Sequence, residues 1–257
     1  MKIDRSLPYK GLIFLLRTFG FEYITIFKGP LRGLKWKSET NYKFLIGNYE
    51  PPTVRSIEKF VSGVPDLIFF DVGANVGYFS FVVSRLNEDS MVYSFDPLPD
   101  NVKIFDEHLR LNRSENIELL PIAISNMDGE VNFTIGENLA ANTYVNSNNP
   151  ELLDSHRICV EARSIDSFVK ERGVKCIHVL KIDVEGAEFD VLLGATESII
   201  KFKPIILLAT HEPFVDGVEE NCLDILINKF GYKCSEDVYY EKTNGLKDFI
   251  CVYENEV

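Results

Sequence analysis

Two apolar runs that each end in an acid carry the first chemistry in this 257-residue chain. Phe69-Phe70-Asp71-Val72-Gly73-Ala74-Asn75-Val76-Gly77-Tyr78 passes through an acid into a glycine turn, and Val92-Tyr93-Ser94-Phe95-Asp96-Pro97 ends a second run in another acid. Asp96 follows Asp71 by 25 positions, close to the interval at which a strand–helix–strand unit sets a carboxylate against a ribose diol. The turn reads Gly-x-x-x-Gly. A dinucleotide fold needs a middle glycine so that backbone can approach a pyrophosphate, and here Asn75 stands in its place. The pattern predicts a nucleoside pocket without a pyrophosphate, which disfavours nicotinamide cofactors and points to S-adenosylmethionine. Asp71, Gly73, Ala74, Asn75, Gly77 and Tyr78 are the loop candidates. Asp96 is the ribose candidate, with Pro97 fixing the turn behind it.

A second cluster lies in Leu180-Lys181-Ile182-Asp183-Val184-Glu185-Gly186-Ala187-Glu188. Strand alternation sends Lys181, Asp183 and Glu185 to one face and carries them to the strand's carboxyl end. Two acids beside a lysine in apolar surroundings are costly unless paired or functional. His211 follows the apolar run Leu207-Leu208-Ala209-Thr210 and is the one histidine of four expected at that same edge. It is the candidate general base, because imidazole titrates near neutrality. Asp183 is placed either to assist it or to hold a cofactor ammonium, with Glu185 and Lys181 orienting an acceptor. A second reading makes Asp183, Glu185 and His211 a divalent-metal site that acidifies an acceptor hydroxyl; a resident metal is not the first expectation. Ala123 and Ile124, in Pro121-Ile122-Ala123-Ile124-Ser125, are candidates for an adenine wall.

Alternating strands and helices must position these groups. Strands are expected at 67–72, 91–95, 117–124, 179–184 and 204–210, with helices at 77–86, 99–112, 186–202 and 219–230. That order indicates a doubly wound α/β domain whose mostly parallel sheet binds ligand at the strands' carboxyl ends. A β-like insertion interrupts it at about 128–172, around a polar loop whose Asn142, Thr143 and Tyr144 are acceptor-binding candidates. Runs at 233–237 and 249–253 flank Thr243-Asn244-Gly245 and read as a terminal antiparallel hairpin. Residues 1–62 form an N-terminal extension of short helices and strands, ahead of the main domain at 63–257.

The formal charge of −12 is uneven. Residues 1–43 hold nine basic residues against three acids, a balance of +6, which leaves −18 for the rest. So acidic a body argues against nucleic acid, whose binding depends on phosphate neutralisation. The basic, aromatic front end is suited to an anionic membrane surface or a lipid-linked glycan. No secretory signal is visible, and the apolar stretch at 11–16 is broken by Arg17 and Glu22. A cytoplasmic protein with peripheral membrane contact is expected. Five cysteines without a Cys-x-x-Cys pair are read as free thiols of a reducing compartment.

At four places the chain resembles the FkbM family of S-adenosylmethionine-dependent methyltransferases. The match is carried by Asp71-Val72-Gly73-Ala74-Asn75-Val76-Gly77, by Tyr93-Ser94-Phe95-Asp96-Pro97, by Ala123-Ile124-Ser125 with Gly129, and by Lys181-Ile182-Asp183-Val184-Glu185-Gly186-Ala187-Glu188. The lead-in Gly47-Asn48-Tyr49-Glu50 is also similar, which implies that Tyr49 and Glu50 close over the cofactor. The resemblance implies a Rossmann-like, seven-stranded class I methyltransferase fold. It further implies methyl transfer from S-adenosylmethionine to a hydroxyl of a sugar, glycan or secondary metabolite, leaving S-adenosylhomocysteine. The chain departs from many members in having Asp96 where they have Glu, and Ala209 where they carry a Glu two residues before the histidine. A non-catalytic cofactor-binding scaffold is the alternative from another class.

Overall fold

The computed structural model of the chain describes residues 7–135, 143–144, 156–237 and 246–254. Its frame is a seven-stranded sheet. Five strands are parallel: β3 (Ile68–Val72), β4 (Met91–Phe95), β5 (Ile117–Leu120), β10 (Val179–Ile182) and β11 (Ile205–Thr210). The last strand, β13 (Lys247–Tyr253), pairs antiparallel with both β11 and β12 (Tyr232–Asp237). The spatial order is β5-β4-β3-β10-β11-β13-β12. Chain order reverses between β3 and β10, and open α/β sheets form a crevice at such a switch point. The strands read as continuous apolar runs because helices cover both faces. On them lie α4 (Tyr78–Leu86), α5 (Pro99–Asn112), α6 (Ile165–Arg172), α7 (Glu188–Gly194), α8 (Thr196–Phe202) and α9 (Val218–Asp224).

The N-terminal extension comprises α1 (Leu7–Thr18), a two-stranded ribbon of β1 (Tyr23–Thr25) and β2 (Lys35–Lys37), α2 (Tyr42–Leu45) and α3 (Pro51–Val61). Prolines 51 and 52 open α3 at the positions where a missing N–H costs nothing. The extension is built into the main core: Trp36, Leu45 and Ile57 are buried in one cluster with Phe69, Phe81 and Phe105. Trp36 stacks on His108 at 3.8 Å. His108 is a structural residue. Its Nε2 accepts from Lys37 N at 3.0 Å, so the proton sits on Nδ1, which reaches Val76 O at 3.0 Å. Burial pushes its pKa down to about 4.

Several expectations are corrected. The run at 117–124 is two strands: β5 ends at Leu120, and after Pro121 the chain enters β6 (Ala123–Ile124), which pairs with β9 (His156–Arg163) in a second sheet. Proline has no N–H to continue the ladder. That four-stranded sheet runs β6-β9-β7-β8, with β7 (Gly129–Ile135) and β8 (Thr143–Tyr144); β7, β8 and β9 fall within 128–172, and β6 lies before it. The helix expected at 186–202 breaks into α7 and α8, because Asp166 on α6 accepts from the N–H groups of Glu197 and Ser198 at 2.9 and 2.8 Å and caps a new helix start. The last helix ends in a π-helical turn, Ile225–Lys229. The cysteines are not all free thiols: Cys234 and Cys251 face each other across β12 and β13 and form a disulfide, while Cys159, Cys176 and Cys222 are free. The pair lies 17 positions apart with no Cys-x-x-Cys spacing; strand register brings the two together. Among the described residues no helix is long and apolar enough to cross a membrane.

Candidate functional site

A cavity of about 410 Å³ opens at the carboxyl ends of β3, β4 and β10. Its floor is the glycine turn. Gly73 and Ala74 both donate to Phe95 O at 3.0 Å, which ties the turn to the end of β4. A Cβ on Gly73, at φ +80°, would lie 1.8 Å from the Asp183 carbonyl oxygen, so only glycine lets the β3 and β10 loops meet. Three non-glycine lining residues, Glu50, Asn75 and Glu185, hold left-handed backbone at φ 37°, 52° and 56°. Such strain persists where surrounding structure enforces it, and it concentrates at ligand sites.

Asp96 lines one end. Its Oδ2 accepts from Asn75 N at 2.8 Å and its Oδ1 from Leu98 N at 3.0 Å, and the Asn101 amide reaches both oxygens at 3.2 and 3.3 Å. Burial nevertheless outweighs these bonds and raises its pKa to about 7. Ala123 and Ile124 line the cavity together with Ile122, which was not among the candidates, and Ala123 and Ile124 belong to the second sheet. Phe44, Tyr49, Tyr78 and Phe79 make an aromatic side to the cavity, with Phe44 stacked on Tyr78 at 4.9 Å.

Asp183, Glu185, Lys181 and His211 converge at the other end. Lys181 is buried with its Nζ 3.5 Å from Asp71 Oδ1, 3.2 Å from Asp183 Oδ2 and 4.9 Å from the centre of the Phe79 ring. Burial works against its charge, but Asp183, Asp71 and Glu50 overcome that and hold it well above the usual lysine range. His211 Nε2 faces Glu185 Oε2 at 3.3 Å and Asp183 Oδ1 at 3.6 Å, while Nδ1 meets Glu188 Oε1 at 2.7 Å. Burial pushes His211 down, yet the Glu188 hydrogen bond and the surrounding carboxylates prevail and lift it to about 9. A value raised in this way favours the protonated ring. That stands against its simple use as a base.

Other sequence candidates fall elsewhere. Asp71 does not line the cavity; it lies fully buried beneath it, accepting from Ser80 Oγ and facing Lys181. Gly77 is also behind the wall, where a Cβ would strike the Phe105 ring at 2.3 Å. Gly73, Ala74, Asn75, Tyr78, Pro97, Tyr49 and Glu50 do line the cavity. Asn142 lies outside the described residues, and Thr143 and Tyr144 form β8 against Thr134 and Phe133.

Glu188 was legible only as a helix opener. It is fully buried, Oε1 accepts from Gly186 N at 2.9 Å as well as from His211, and Oε2 has no hydrogen-bond partner among the described residues. Glu39, Thr40, Asn41, Leu98, Asn101 and Val131 also line the cavity and were missed, since polar turn residues carry no periodic signal.

Comparisons with known proteins bear on the family and the fold. The model of the methyltransferase FkbM domain matches residues 71–234. Pseudomonas aeruginosa AMB antimetabolite synthetase AmbE is 28% identical over 70% of this chain, which spans 10% of that protein. The 2-O-methyltransferase NoeI of Sinorhizobium fredii is 24% identical over 60% of this chain and 67% of its own length. The crystal structure of methyltransferase FkbM from Methylobacillus flagellatus superposes with a TM-score of 0.53 at 17% identity, covering 82% of this chain and 53% of that one. It supports the fold. With the family model matching well over half of its length, the chain belongs to the FkbM family of methyltransferases.

Proposed function

We propose that this methyltransferase moves the methyl group of S-adenosylmethionine to a hydroxyl oxygen of a sugar, glycan or secondary-metabolite acceptor. The carrying observation is that one cavity is lined by Asp96 after β4 and, across β3, by Asp183 and Glu185 after β10 and His211 after β11. The ribose diol would take Asp96, whose oxygens are already aimed by two backbone N–H groups. The adenine would lie against Ile122, Ala123 and Ile124, and the amino-acid portion along Gly73–Asn75 toward Asp183 and Glu50. Tyr49 would close that side. The relative NoeI is named for 2-O-methylation, which supports an oxygen acceptor.

The acceptor oxygen attacks the methyl carbon, the C–S electron pair stays on sulfur, and the hydroxyl proton leaves at the acid–histidine end. The protein's main task is alignment, which can supply roughly 7–11 kcal/mol. Calorimetry with S-adenosylhomocysteine and, separately, with NAD tests the reading, with labelled methyl transfer onto hydroxylated acceptors as the second step. Binding of the first ligand alone, weakened in Asp96→Ala, is expected. NAD binding, or neither ligand binding, would end the reading.

For the acceptor's location we propose an anionic lipid surface. Helix α1 and the following turn expose Phe14, Leu15, Phe19 and Phe21, and Arg17 ties α1 to the carbonyls of Ser38 and Thr40 at the cavity rim. The +6 balance of residues 1–43 against an acidic body would turn this face toward such a surface. Co-sedimentation with phosphatidylglycerol vesicles, lost in Phe14→Glu/Phe19→Glu, is expected. No sedimentation, or a chain that dimerises through this face, would refute it.

A further inference from the structure

We infer that Asp183, Glu185 and His211 hold a divalent cation of the manganese class, with Glu188 as the residue that positions the histidine. One donor atom from each of the three lies within 4.8 Å of the others. Donor pairs 3.3 and 3.6 Å apart, as between Nε2 and the two carboxylate oxygens, subtend a right angle at an ion about 2.3–2.6 Å away, too long for magnesium, which demands about 2.0–2.1 Å, and suited to a larger divalent ion. The ligands converge from separate elements: Asp183 and Glu185 follow β10, and His211 follows β11. Asp183 divides its oxygens, turning Oδ2 to Lys181 and Oδ1 to His211.

The second layer is what separates this corner from an ordinary acidic cluster. A histidine that ligates a metal nearly always donates its other ring N–H to a carboxylate, which fixes tautomer and ring orientation. Glu188 does this from a fully buried position, at 2.7 Å from Nδ1, and so aims Nε2 at the two acids. Its own Oε1 is fixed in turn by Gly186 N. Two carboxylates suit manganese and an imidazole suits transition-metal ions, so the mixed set favours such an ion over magnesium, with remaining positions for water or an acceptor oxygen.

The role of the ion rests on the methyl-transfer reading; the site itself does not. A hydroxyl oxygen on the ion would lose its proton to solvent, attack the methyl carbon, and leave the C–S electron pair on sulfur. Lys181 keeps Asp183 in place from the other side.

The test is calorimetric titration with manganese chloride in the presence of S-adenosylhomocysteine, beside a titration of that ligand alone. One equivalent of Mn²⁺ should bind the wild-type protein. His211→Ala and Glu185→Gln should weaken it at least roughly 50-fold, and Glu188→Gln roughly 10–100-fold, with affinity for S-adenosylhomocysteine within about threefold. Should His211→Ala fold poorly, Glu185→Gln decides, because that side chain is partly exposed at the cavity. Absent saturable binding, or binding indifferent to Glu185→Gln, the cation site is refuted while the methyltransferase reading stands. Mn²⁺ binding without S-adenosylhomocysteine binding would keep the site and remove the reaction.

Discussion

Lys181 and Asp71 stand directly opposite each other on the adjacent parallel strands β10 and β3, with Nζ 3.5 Å from Oδ1 and neither side chain open to solvent. Ser94 Oγ donates to Ser80 Oγ at 2.8 Å, and Ser80 in turn donates to Asp71, so a polar thread runs under the glycine turn. Removing one member of a buried ion pair costs about 3–5 kcal/mol because the other charge is left uncompensated. Lys181→Met should lose stability of that order, and Asp71→Asn in the same chain should recover part of it. Urea unfolding of the single and double variants measures the coupling.

Asp96 should make cofactor affinity depend on pH. Burial raises its pKa to about 7, above the ordinary 3.8, so in the empty protein its contribution to stability is full below the ordinary value and is lost as pH rises through 7. Ribose hydroxyls donate to the ionised form. Affinity for S-adenosylhomocysteine is therefore expected to rise between pH 6 and 8 and to be flat in Asp96→Asn. The substitution itself should cost about 1.5–3 kcal/mol of binding, as for a hydrogen bond to a charged group. Calorimetry across that interval reads both effects.

His211 has its pKa raised from 6.5 to about 9. The charged form is stabilised in the fold, so the gain is complete below about pH 6.5 and disappears as pH climbs through 9. The difference amounts to about 3 kcal/mol. In chelator-treated protein, the stability of wild type relative to His211→Gln should shrink from pH 7 to 10. A gap that stays constant would mean the imidazole is neutral.

Gly73→Ala and Gly77→Ala should differ, although both glycines hold positive φ. At Gly73 the new methyl meets backbone, the Asp183 carbonyl oxygen, which cannot withdraw without separating the β3 and β10 loops. At Gly77 it meets the Phe105 ring, a side chain able to turn. Gly73→Ala is expected to abolish S-adenosylhomocysteine binding at a cost of about 1–3 kcal/mol in stability or more. Gly77→Ala should lose stability but keep binding. Thermal melts with and without ligand separate the two.

Much of the site was readable because local chemistry dictates it. The acid-ended apolar runs, the glycine turn and the spacing from Asp71 to Asp96 each follow from strand and turn requirements within a few residues, and the strands and helices around them lie close to where periodicity puts them. The lead-in Tyr49-Glu50 came from resemblance alone. Asp71 and Asp96 look alike in sequence, each ending an apolar run, and no local pattern says that one lies under the floor and the other in the wall. Lys181, arriving from a strand far along the chain, decides it.

What the amino-acid order determined by itself is the parallel α/β frame and the edge at which chemistry gathers, since hydrophobic period and turn residues act over short range. Only the tertiary structure decided the pairings across elements: Glu188 with His211, Asp166 with the start of α8, Cys234 with Cys251, and Trp36 with His108. Each depends on register and on helix packing between residues well separated along the chain. The burial that brings them together also moves the His211 and Asp96 protons, and burial belongs to the fold as a whole.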